Sequence, residues 1–343
     1  MSRLSGRGRV ALGAGLAVLL LVSVAASVTI GAADIRVSDV LGSVLAHLGI
    51  GTSPLDPLRD AIVWELRLPR VLTAAAVGAG LAIAGGIMQA LTRNQLADPY
   101  LLGLSSGASL GAVAVLLLGV GLVLPLAAFA GAILALLATL GIAGAGGGRG
   151  IARITPTRTV LAGVAVSSLA AAITSFIIFW TAESDSYRDV LTWLLGSLAG
   201  ARWPAVAIAG IAVIVVGIPL ALTGRLLDGF AFGDTTAATL GIPVQGVRWG
   251  LLGATALLTG ALVSVSGAIG FVGLVLPHAV RIVAGPGNRA LLPLSALVGA
   301  SFLIWADTLA RTVFAPRELP VGIVTAIVGA PVFAWLLTRR RGD

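Results

Sequence analysis

Side chains that could bind a proton, a metal or a nucleotide are few and isolated in this sequence. Asp307 lies within a largely apolar stretch, where an acid is costly and is by default a candidate functional residue. It could bind a proton in a transporter driven by an ion gradient, or it could form a buried ion pair with Arg311, one helical turn further on. We favour the ion pair, because one acid is a thin basis for a proton relay.

The two histidines do not predict a metal site. His278 follows Pro277 near a predicted helix end, His47 lies in a polar segment, and neither has a companion ligand nearby. A metal site needs several ligands, and the chain contains no cysteine. We therefore expect structural roles for both histidines and no metal-binding residues.

The glycine-rich stretch Gly144–Arg153 contains GAGGGRG, which invites comparison with a phosphate-binding loop. That motif requires a Walker lysine and a preceding soluble strand, and the sequence offers neither. No cluster of nucleophiles, acids and metal ligands suggests an active site within a membrane. We predict no catalytic or cofactor-binding residues in this chain, which counts against a membrane-embedded enzyme.

Composition places these residues in a polytopic membrane protein. The 343 residues are 58% hydrophobic and 10% charged, whereas soluble domains are charged at about 25% of positions. The formal charge of +8 comes from arginine without lysine, and an arginine excess in a membrane chain marks the loops that stay in the cytoplasm. We therefore expect a membrane partner and no nucleic acid.

Apolar runs of the ~20 residues that a helix needs to cross a bilayer divide the chain into about ten predicted spans. The first seven are Val10–Ala33, Val71–Leu91, Tyr100–Leu118, Val123–Ile142, Thr159–Trp180, Pro204–Thr223 and Gly250–Val265, and three apolar stretches follow. Residues 34–65 and 183–203 are predicted to be external. The first of these segments has apolar residues at helical spacing, namely Val40, Leu41, Val44, Leu45 and Leu48. Because arginines concentrate in the other loops, both termini are predicted to be cytoplasmic.

The stretch from Arg67 to Gly111 carries the most informative motifs. It contains RLPR, a long run of small residues, NQLADP and LLGLSSGAS, in which Gly103, Gly107 and Gly111 are spaced four apart. That spacing predicts a helix face that another backbone can approach closely. Together with Gly267–Arg281, Leu291–Arg311 and Glu318–Leu337, these motifs resemble the FecCD family of ABC-transporter permeases, which import iron-siderophore complexes, haem or cobalamin.

The resemblance implies an all-α type II ABC importer permease fold in one transmembrane domain over residues 1–343. Predicted spans two to five and seven to ten would be related as inverted pseudo-repeats. The permease would work as a homodimer, or as a heterodimer with a similar permease, in a bacterial cytoplasmic membrane. Separate cytoplasmic ATP-binding subunits would hold ATP and Mg, and an external substrate-binding protein would deliver the substrate.

The same resemblance implies three sets of functional residues. Residues 226–245, LLDGFAFGDTTAATLGIPVQ, match the cytoplasmic coupling loop that contacts the ATPase, here through Asp234, Leu240, Gly241 and Ile242. The cytoplasmic gate would involve Asn94, Leu96, Thr155 and Thr157, although Pro156 replaces a hydroxyl residue of the cobalamin importer. The arginines that meet glutamates of the binding protein would be Arg67, Arg70 and Arg311.

Two of the docking arginines allow another interpretation, since Arg67 or Arg70 could pair with Glu65 or anchor at lipid headgroups. Within the coupling loop, Gly233-Asp234-Thr235 predicts a helix start, and Gly241 before Pro243 predicts its end. A ferric-siderophore complex is the first expectation for the substrate, with haem and cobalamin as alternatives. The rival from another class is a secondary transporter that uses Asp307.

Overall fold

The computed structural model describes residues 5–31, 35–121, 123–145, 155–181 and 184–338. Within these ranges the regular structure is helical throughout. The first half contains α1 (Gly6–Thr29), α2 (Val37–His47), α3 (Pro57–Ala61), α4 (Leu68–Thr92), α5 (Leu104–Leu118), α6 (Leu124–Ala145), α7 (Pro156–Thr181) and α8 (Ser184–Leu194). The second half contains α9 (Trp203–Ala212), α10 (Ile218–Leu222), α11 (Gly224–Phe230), α12 (Asp234–Thr239), α13 (Val244–Ser266), α14 (Val272–Ala284), α15 (Asn288–Thr312) and α16 (Val321–Thr338).

The helices confirm a membrane protein with about ten spans. In the described chain seven helical stretches are long and apolar enough to cross a bilayer, and they contain α1, α4, α6, α7, α9 with α10, α13 and α15. Three shorter apolar helices, α5, α14 and α16, lie where the sequence predicts the remaining spans. Residues 146–153 of the predicted glycine-rich loop lie outside the described residues, as does Glu183.

Helix α4 is the centre of the bundle and is buried on nearly all sides. It packs against α15, α14, α13 and α9. Gly78 of α4 and Gly299 of α15 face each other so closely that a Cβ on either would collide with the carbonyl oxygen of the other. Small residues at this crossing therefore let the two backbones touch, which is how helices associate where water provides no driving force.

The helix that contains Arg67 and Arg70 begins earlier than the sequence predicted. Residues 57–92 form one continuous helical stretch in which a π-helical segment, Ile62–Arg67, joins α3 to α4. The segment ends two residues before Pro69, and a second π segment, Val213–Gly217, ends two residues before Pro219. Since proline lacks an amide hydrogen and crowds the preceding turn, the wider π turn lets each helix continue where a regular α-helix would break.

The glycine spacing predicted for the third span is confirmed in part. A Cβ on Gly107 or Gly111 would collide with the backbone of α6, so both glycines lie at the α5–α6 contact. Gly103 differs, because it ends a 3₁₀ turn (Pro99–Leu102) with φ of +82° and precedes α5. It serves the turn into α5, where the left-handed conformation favours glycine.

Helix α2 lies where the apolar spacing of residues 40–48 predicts a helix. In α2 only Val40 and Val44 pack against the bundle, whereas Leu41, Leu45 and Leu48 are exposed, because a helix of this length has only one face toward its neighbour. The seventh predicted span, Gly250–Val265, begins earlier than the sequence predicted, since α13 already begins at Val244. The long helix, break and short helix of α4–α5 recur in α13–α14, as the resemblance to an inverted-repeat permease predicts.

Candidate functional site

A cavity of about 940 Å³ opens at the end of the bundle where α4 begins, which the sequence predicts to be external. Arg67, Arg70, Arg202 and Arg311 line it, with Glu318 as the acid among its lining residues. The three predicted docking arginines are therefore brought to one place. An excess of guanidinium groups around a recess of this size suits the binding of carboxylates.

Arg70 is one of the residues that line this cavity, and it binds two acids. Its Nε and Nη2 donate to Oδ2 and Oδ1 of Asp307 at 2.8 and 2.9 Å, and its Nη1 donates to Oε2 of Glu318 at 2.7 Å. Arg70 is 8% and Asp307 1% exposed. The ion pair expected for Asp307 is present, but its partner is Arg70 of α4 rather than Arg311. The two facing helices α4 and α15 bring these side chains together, which sequence spacing along one helix cannot reveal.

Arg67 and Arg311 both reach toward the end of α1. Arg67, which is 7% exposed, donates through Nη1 to the carbonyl oxygens of Val28 and Thr29, each at 3.0 Å. Arg311 donates through Nη2 to the carbonyl oxygen and, at 3.0 Å, to the Oγ of Ser27. These carbonyls end a helix, where backbone acceptors lack intrahelical partners, so the arginines cap α1.

Arg202 is the cavity arginine to which the sequence assigned no role. It precedes α9, is exposed, and donates through Nη1 to the neighbouring carbonyl of Ala201 at 2.9 Å. Glu318 likewise received no role. Neither residue stands in a charged motif of its own, but both follow a turn at the predicted external end, and that placement was the available signal.

The predicted gate residues lie at the opposite end of α4. Arg93 ends α4 in the left-handed conformation with φ of +51°, and Oδ1 of Asn94 accepts a hydrogen bond from the amide of Leu96 at 2.9 Å. Asn94 thus shapes a tight turn, as asparagine does where a backbone reverses. Thr155 precedes α7 and accepts from the amide of Arg158 at 3.4 Å through Oγ1.

The two gate segments share one end of the bundle. Thr92 at the end of α4, Pro156 at the start of α7 and Arg248 near the start of α13 line the same small void. Asn94, Leu96 and Thr157 are exposed there. Beyond the turn, the hydroxyl of Tyr100 donates to the carbonyl of Ile269 at 3.0 Å, which ties the α4–α5 break to the α13–α14 break.

The predicted coupling loop contains two short helices, α11 and α12. Helix α12 begins at Asp234 and ends before Gly241, whose φ is +81°, as the sequence predicted. Leu240 is 65% exposed, whereas Ile242 packs against the core and lies close to Gly229. An exposed leucine on a solvent-facing loop offers an apolar contact to another subunit.

Asp234 fixes α12 to α13. Its two carboxylate oxygens accept hydrogen bonds from Nη1 and Nη2 of Arg248 at 2.9 and 2.8 Å, and Arg248 lies over the ring of Phe230. The hydrogen bonds from Arg248 hold the pKa of Asp234 below its usual value, while partial burial raises it and the charges of Arg248 and Arg93 lower it further. The carboxylate is therefore the form that the folded protein favours.

The histidines lie away from these sites. His47 stacks on Trp64 with ring centroids 4.1 Å apart, and its Nε2 is 3.5 Å from Asp60. His278 is buried within α14. Among the residues that the structure describes, no group of three His, Cys, Asp or Glu side chains could hold a metal ion.

Comparison with known proteins agrees with this architecture. The profile of the FecCD transport family matches residues 19–339. A vitamin B12 import system permease protein of Vibrio cholerae is 46% identical over 283 residues, which cover 82% of this chain and 84% of that protein. A cobalamin import system permease protein of Halobacterium salinarum is 45% identical over 285 residues, which cover 82% of this chain and 74% of that protein.

A solved structure shares the fold. A metal-chelate type ABC transporter in an inward-facing conformation superposes with a TM-score of 0.80 at 27% identity, over 95% of this chain and 98% of that chain. This chain therefore has the fold of an ABC importer permease of type II. Since the family profile spans most of the sequence and the relatives align over most of their own length, this chain belongs to the FecCD transport family.

Proposed function

We propose that this chain is the subunit through which an ATP-driven importer takes up cobalamin. The observation that carries this substrate is the 46% identity to a vitamin B12 import permease over 82% of the chain. A ferric-siderophore complex is the second candidate, supported by the metal-chelate type transporter that shares the fold. Both substrates are large metal complexes that a binding protein would deliver.

The proposed importer contains two permease copies, or this chain with a similar permease, and two ATPase subunits. The ATPases would contact α11 and α12 through Asp234, Leu240, Gly241 and Ile242. The binding protein would dock at the arginine-lined cavity, with acids on its surface facing Arg67, Arg70, Arg311 and the exposed Arg202. This arrangement places both termini in the cytoplasm. A cysteine at Thr235 should then react with an impermeant thiol reagent only from the cytoplasmic side.

The proposed gate consists of Asn94 and Leu96 after α4 and of Thr155 and Thr157 at α7. Support comes from their common location at the coupling end of the bundle, the end that carries α11 and α12. Arg93, the residue before Asn94, lies beside Gly233. A Cβ placed on Gly233 would be 3.3 Å from Nη1 of Arg93. Movement of α12 by an ATPase would therefore reach the gate through a direct contact.

A secondary transporter remains the competing class, and the environment of Asp307 argues against it. Both carboxylate oxygens accept hydrogen bonds from Arg70, so this acid forms an ion pair that joins α4 to α15. The ATPase partners implied by the family supply the driving force instead. Transport should therefore require ATP and should not follow an imposed proton gradient.

Uptake into proteoliposomes tests the proposal. The chain, its ATPase and its binding protein are reconstituted together, and labelled cobalamin, ferric siderophore and haem are offered separately with ATP inside or outside. We expect ATP-dependent accumulation of cobalamin, and a matched complex with an ATPase unable to hydrolyse ATP provides the control.

Each result has a defined meaning. Accumulation of a ferric siderophore without cobalamin would transfer the proposal to the second candidate. Uptake of either compound without ATP, driven by a proton gradient alone, would contradict the importer mechanism itself.

A further inference from the structure

A groove of about 630 Å³ lies between α4, α10 and α15, apart from the arginine-lined cavity and the gate. Its lining is apolar except at one mouth, where Arg225 and Arg289 lie. Arg225 is the second residue of α11 and Arg289 the second residue of α15, so this mouth is at the coupling end of the bundle. The groove therefore combines a cationic rim with an apolar interior.

The interior follows from residue spacing on two facing helices. Pro293, Ala296 and Leu297 follow Arg289 at intervals of four, seven and eight residues, which places them on one face of α15. With a rise of 1.5 Å per residue, this face extends about 12 Å from the arginine into the membrane. Opposite it, Ile218 and Leu222 precede Arg225 by seven and three residues. The small side chains at the back, such as Ala79 of α4, leave the space open.

The two arginines are held together by backbone packing. A Cβ on Gly224 would lie 2.5 Å from Cα of Arg289, so the start of α11 touches the start of α15. Both arginine side chains are exposed, and neither forms a hydrogen bond or ion pair with another described residue. Asp228, the nearest acid in the sequence, instead accepts hydrogen bonds from the amide and Nδ2 of Asn288 at 2.7 and 2.9 Å. Two arginines without a hydrogen-bonded acid among the described residues thus share one mouth.

This arrangement has the chemistry of a phospholipid site. Two guanidinium groups fit the oxygens of one phosphodiester. A free phosphate would use only the rim, whereas an acyl chain would also fill the apolar interior. Basic pockets between membrane helices are suited to anionic headgroups at the surface.

We propose that this groove binds an anionic phospholipid, with the headgroup phosphate between Arg225 and Arg289 and one acyl chain along Leu222 and Leu297. The lipid belongs to the leaflet on the side of α11 and α12. Because Arg225 is part of α11, the bound lipid anchors the first helix of the proposed coupling loop. The binding itself does not depend on which substrate is transported.

Native mass spectrometry of the purified full chain tests this site. The protein is titrated with phosphatidylglycerol and, separately, with phosphatidylcholine. Arg225→Gln with Arg289→Gln should weaken phosphatidylglycerol binding roughly 30-fold, since each arginine near the surface contributes about one factor of five to six toward an anionic lipid. Arg225→Lys with Arg289→Lys should retain most of the binding.

Two further variants separate the headgroup from the chain. Ala221→Trp fills the groove without changing its charge, and it should also weaken phosphatidylglycerol binding. Arg7→Gln with Arg158→Gln removes the same charge from two exposed arginines outside the groove, and it should leave binding unchanged.

The proposal is overturned if the Arg225 and Arg289 glutamine variant binds phosphatidylglycerol as tightly as the wild type. It is also overturned if the tryptophan has no effect on phosphatidylglycerol binding, because that result would show a site for phosphate alone. Equal retention of phosphatidylcholine and phosphatidylglycerol by the wild type would contradict it as well.

Discussion

Arg70 donates hydrogen bonds from three nitrogens to two acids, Asp307 and Glu318. The pair with Asp307 is buried, so removing the Asp307 charge should lower stability. Breaking a buried pair leaves one charge without a partner, which typically costs about 3–5 kcal/mol. We expect Asp307→Asn to lower the free energy of unfolding by an amount of that order. Thermal unfolding in detergent, followed through the fluorescence of the 7 tryptophans, measures the loss.

Glu318→Gln is the matched control, because this acid also pairs with Arg70 but its side chain is 43% exposed. It should have a much smaller effect, as exposed ion pairs contribute little. Arg70→Met with Asp307→Leu should recover much of the lost stability, since no buried charge remains unpaired. A midpoint for Asp307→Asn equal to that of the wild type would show that the pair is not structural.

Asp234 predicts a dependence on pH that can be assigned to one residue. Its pKa is lowered in the folded protein, so its contribution to stability is complete above the unfolded pKa of about 3.9 and is lost as pH falls through the folded value. The difference in melting temperature between wild type and Asp234→Asn should stay constant near neutral pH and shrink below about pH 4. A difference that instead grows with acidity would contradict the assignment.

Single residues were predictable from sequence to different degrees. Asp307 could be identified as a buried paired acid, because an acid in an apolar helix needs a partner. Its partner could not, since Arg70 is 237 residues away and only the α4–α15 contact brings them together. Arg202 was missed for the same reason, because its role comes from sharing a cavity with distant arginines.

Helix identity was predictable from hydropathy, whereas helix boundaries depended on local backbone geometry. Proline at position 69 predicted a helix start, yet the π segment before it allows the helix to continue from Pro57. Such a segment has no reliable pattern in one sequence. The coupling helix α12 was predicted well, because Asp234 and Gly241 are direct start and stop signals.

Two glycine-to-alanine changes, one at the α4–α15 crossing and one outside it, should have opposite effects on the free energy of unfolding. At Gly78 a methyl group would collide with the backbone at Gly299, and forcing extra volume into a packed contact costs about 1–3 kcal/mol. At Gly210, within α9, no heavy atom of another group lies within 4 Å of the added Cβ. Gly210→Ala should therefore be neutral or stabilising by up to about 1 kcal/mol.

Melting temperatures of the two variants, measured in the same detergent, check this prediction. Gly78→Ala should melt below the wild type and Gly210→Ala at or above it. Equal melting temperatures for the two variants would mean that α4 and α15 do not pack through Gly78 and Gly299.

The coupling helices predict an effect on assembly rather than on stability. Leu240→Glu changes an exposed side chain, so the fold should remain intact, while the charge should disrupt an apolar contact with an ATPase. Co-purification of the ATPase subunits should fall strongly. Leu48→Glu, an equally exposed leucine after α2, is the control and should not reduce it. Undiminished co-purification of Leu240→Glu would place the ATPase interface elsewhere.

Across the whole molecule, each end of the bundle is held by a small number of contacts between helices. The coupling helix α12 meets Arg93, the adjoining turn leads to Tyr100, and Tyr100 bonds to the α13–α14 break. At the other end, Arg67 and Arg311 join α1 to the helices that line the arginine cavity. The sequence indicates both ends, but only the packing shows which residues are committed to structure and which remain available to a partner.

That distinction gives the last prediction, which concerns the arginine cavity. Arg67 and Arg311 cap α1, so Arg67→Glu with Arg311→Glu should weaken binding-protein association and also lower the melting temperature. Arg202 makes its hydrogen bond to the adjacent carbonyl and is exposed, so Arg202→Glu should weaken association while leaving the melting temperature unchanged.

The expected loss for Arg202→Glu is about twofold to fivefold in affinity, because an exposed charge pair contributes less than about 1 kcal/mol. It should act mainly on the association rate and should diminish as salt screens the charges. Arg188→Glu is the control, since this exposed arginine of α8 lies at the same end but outside the cavity. Surface-binding measurements at low and high salt decide the matter. If Arg202→Glu and Arg188→Glu slow association equally, the effect reflects the overall charge of that face, and the cavity is not the docking site.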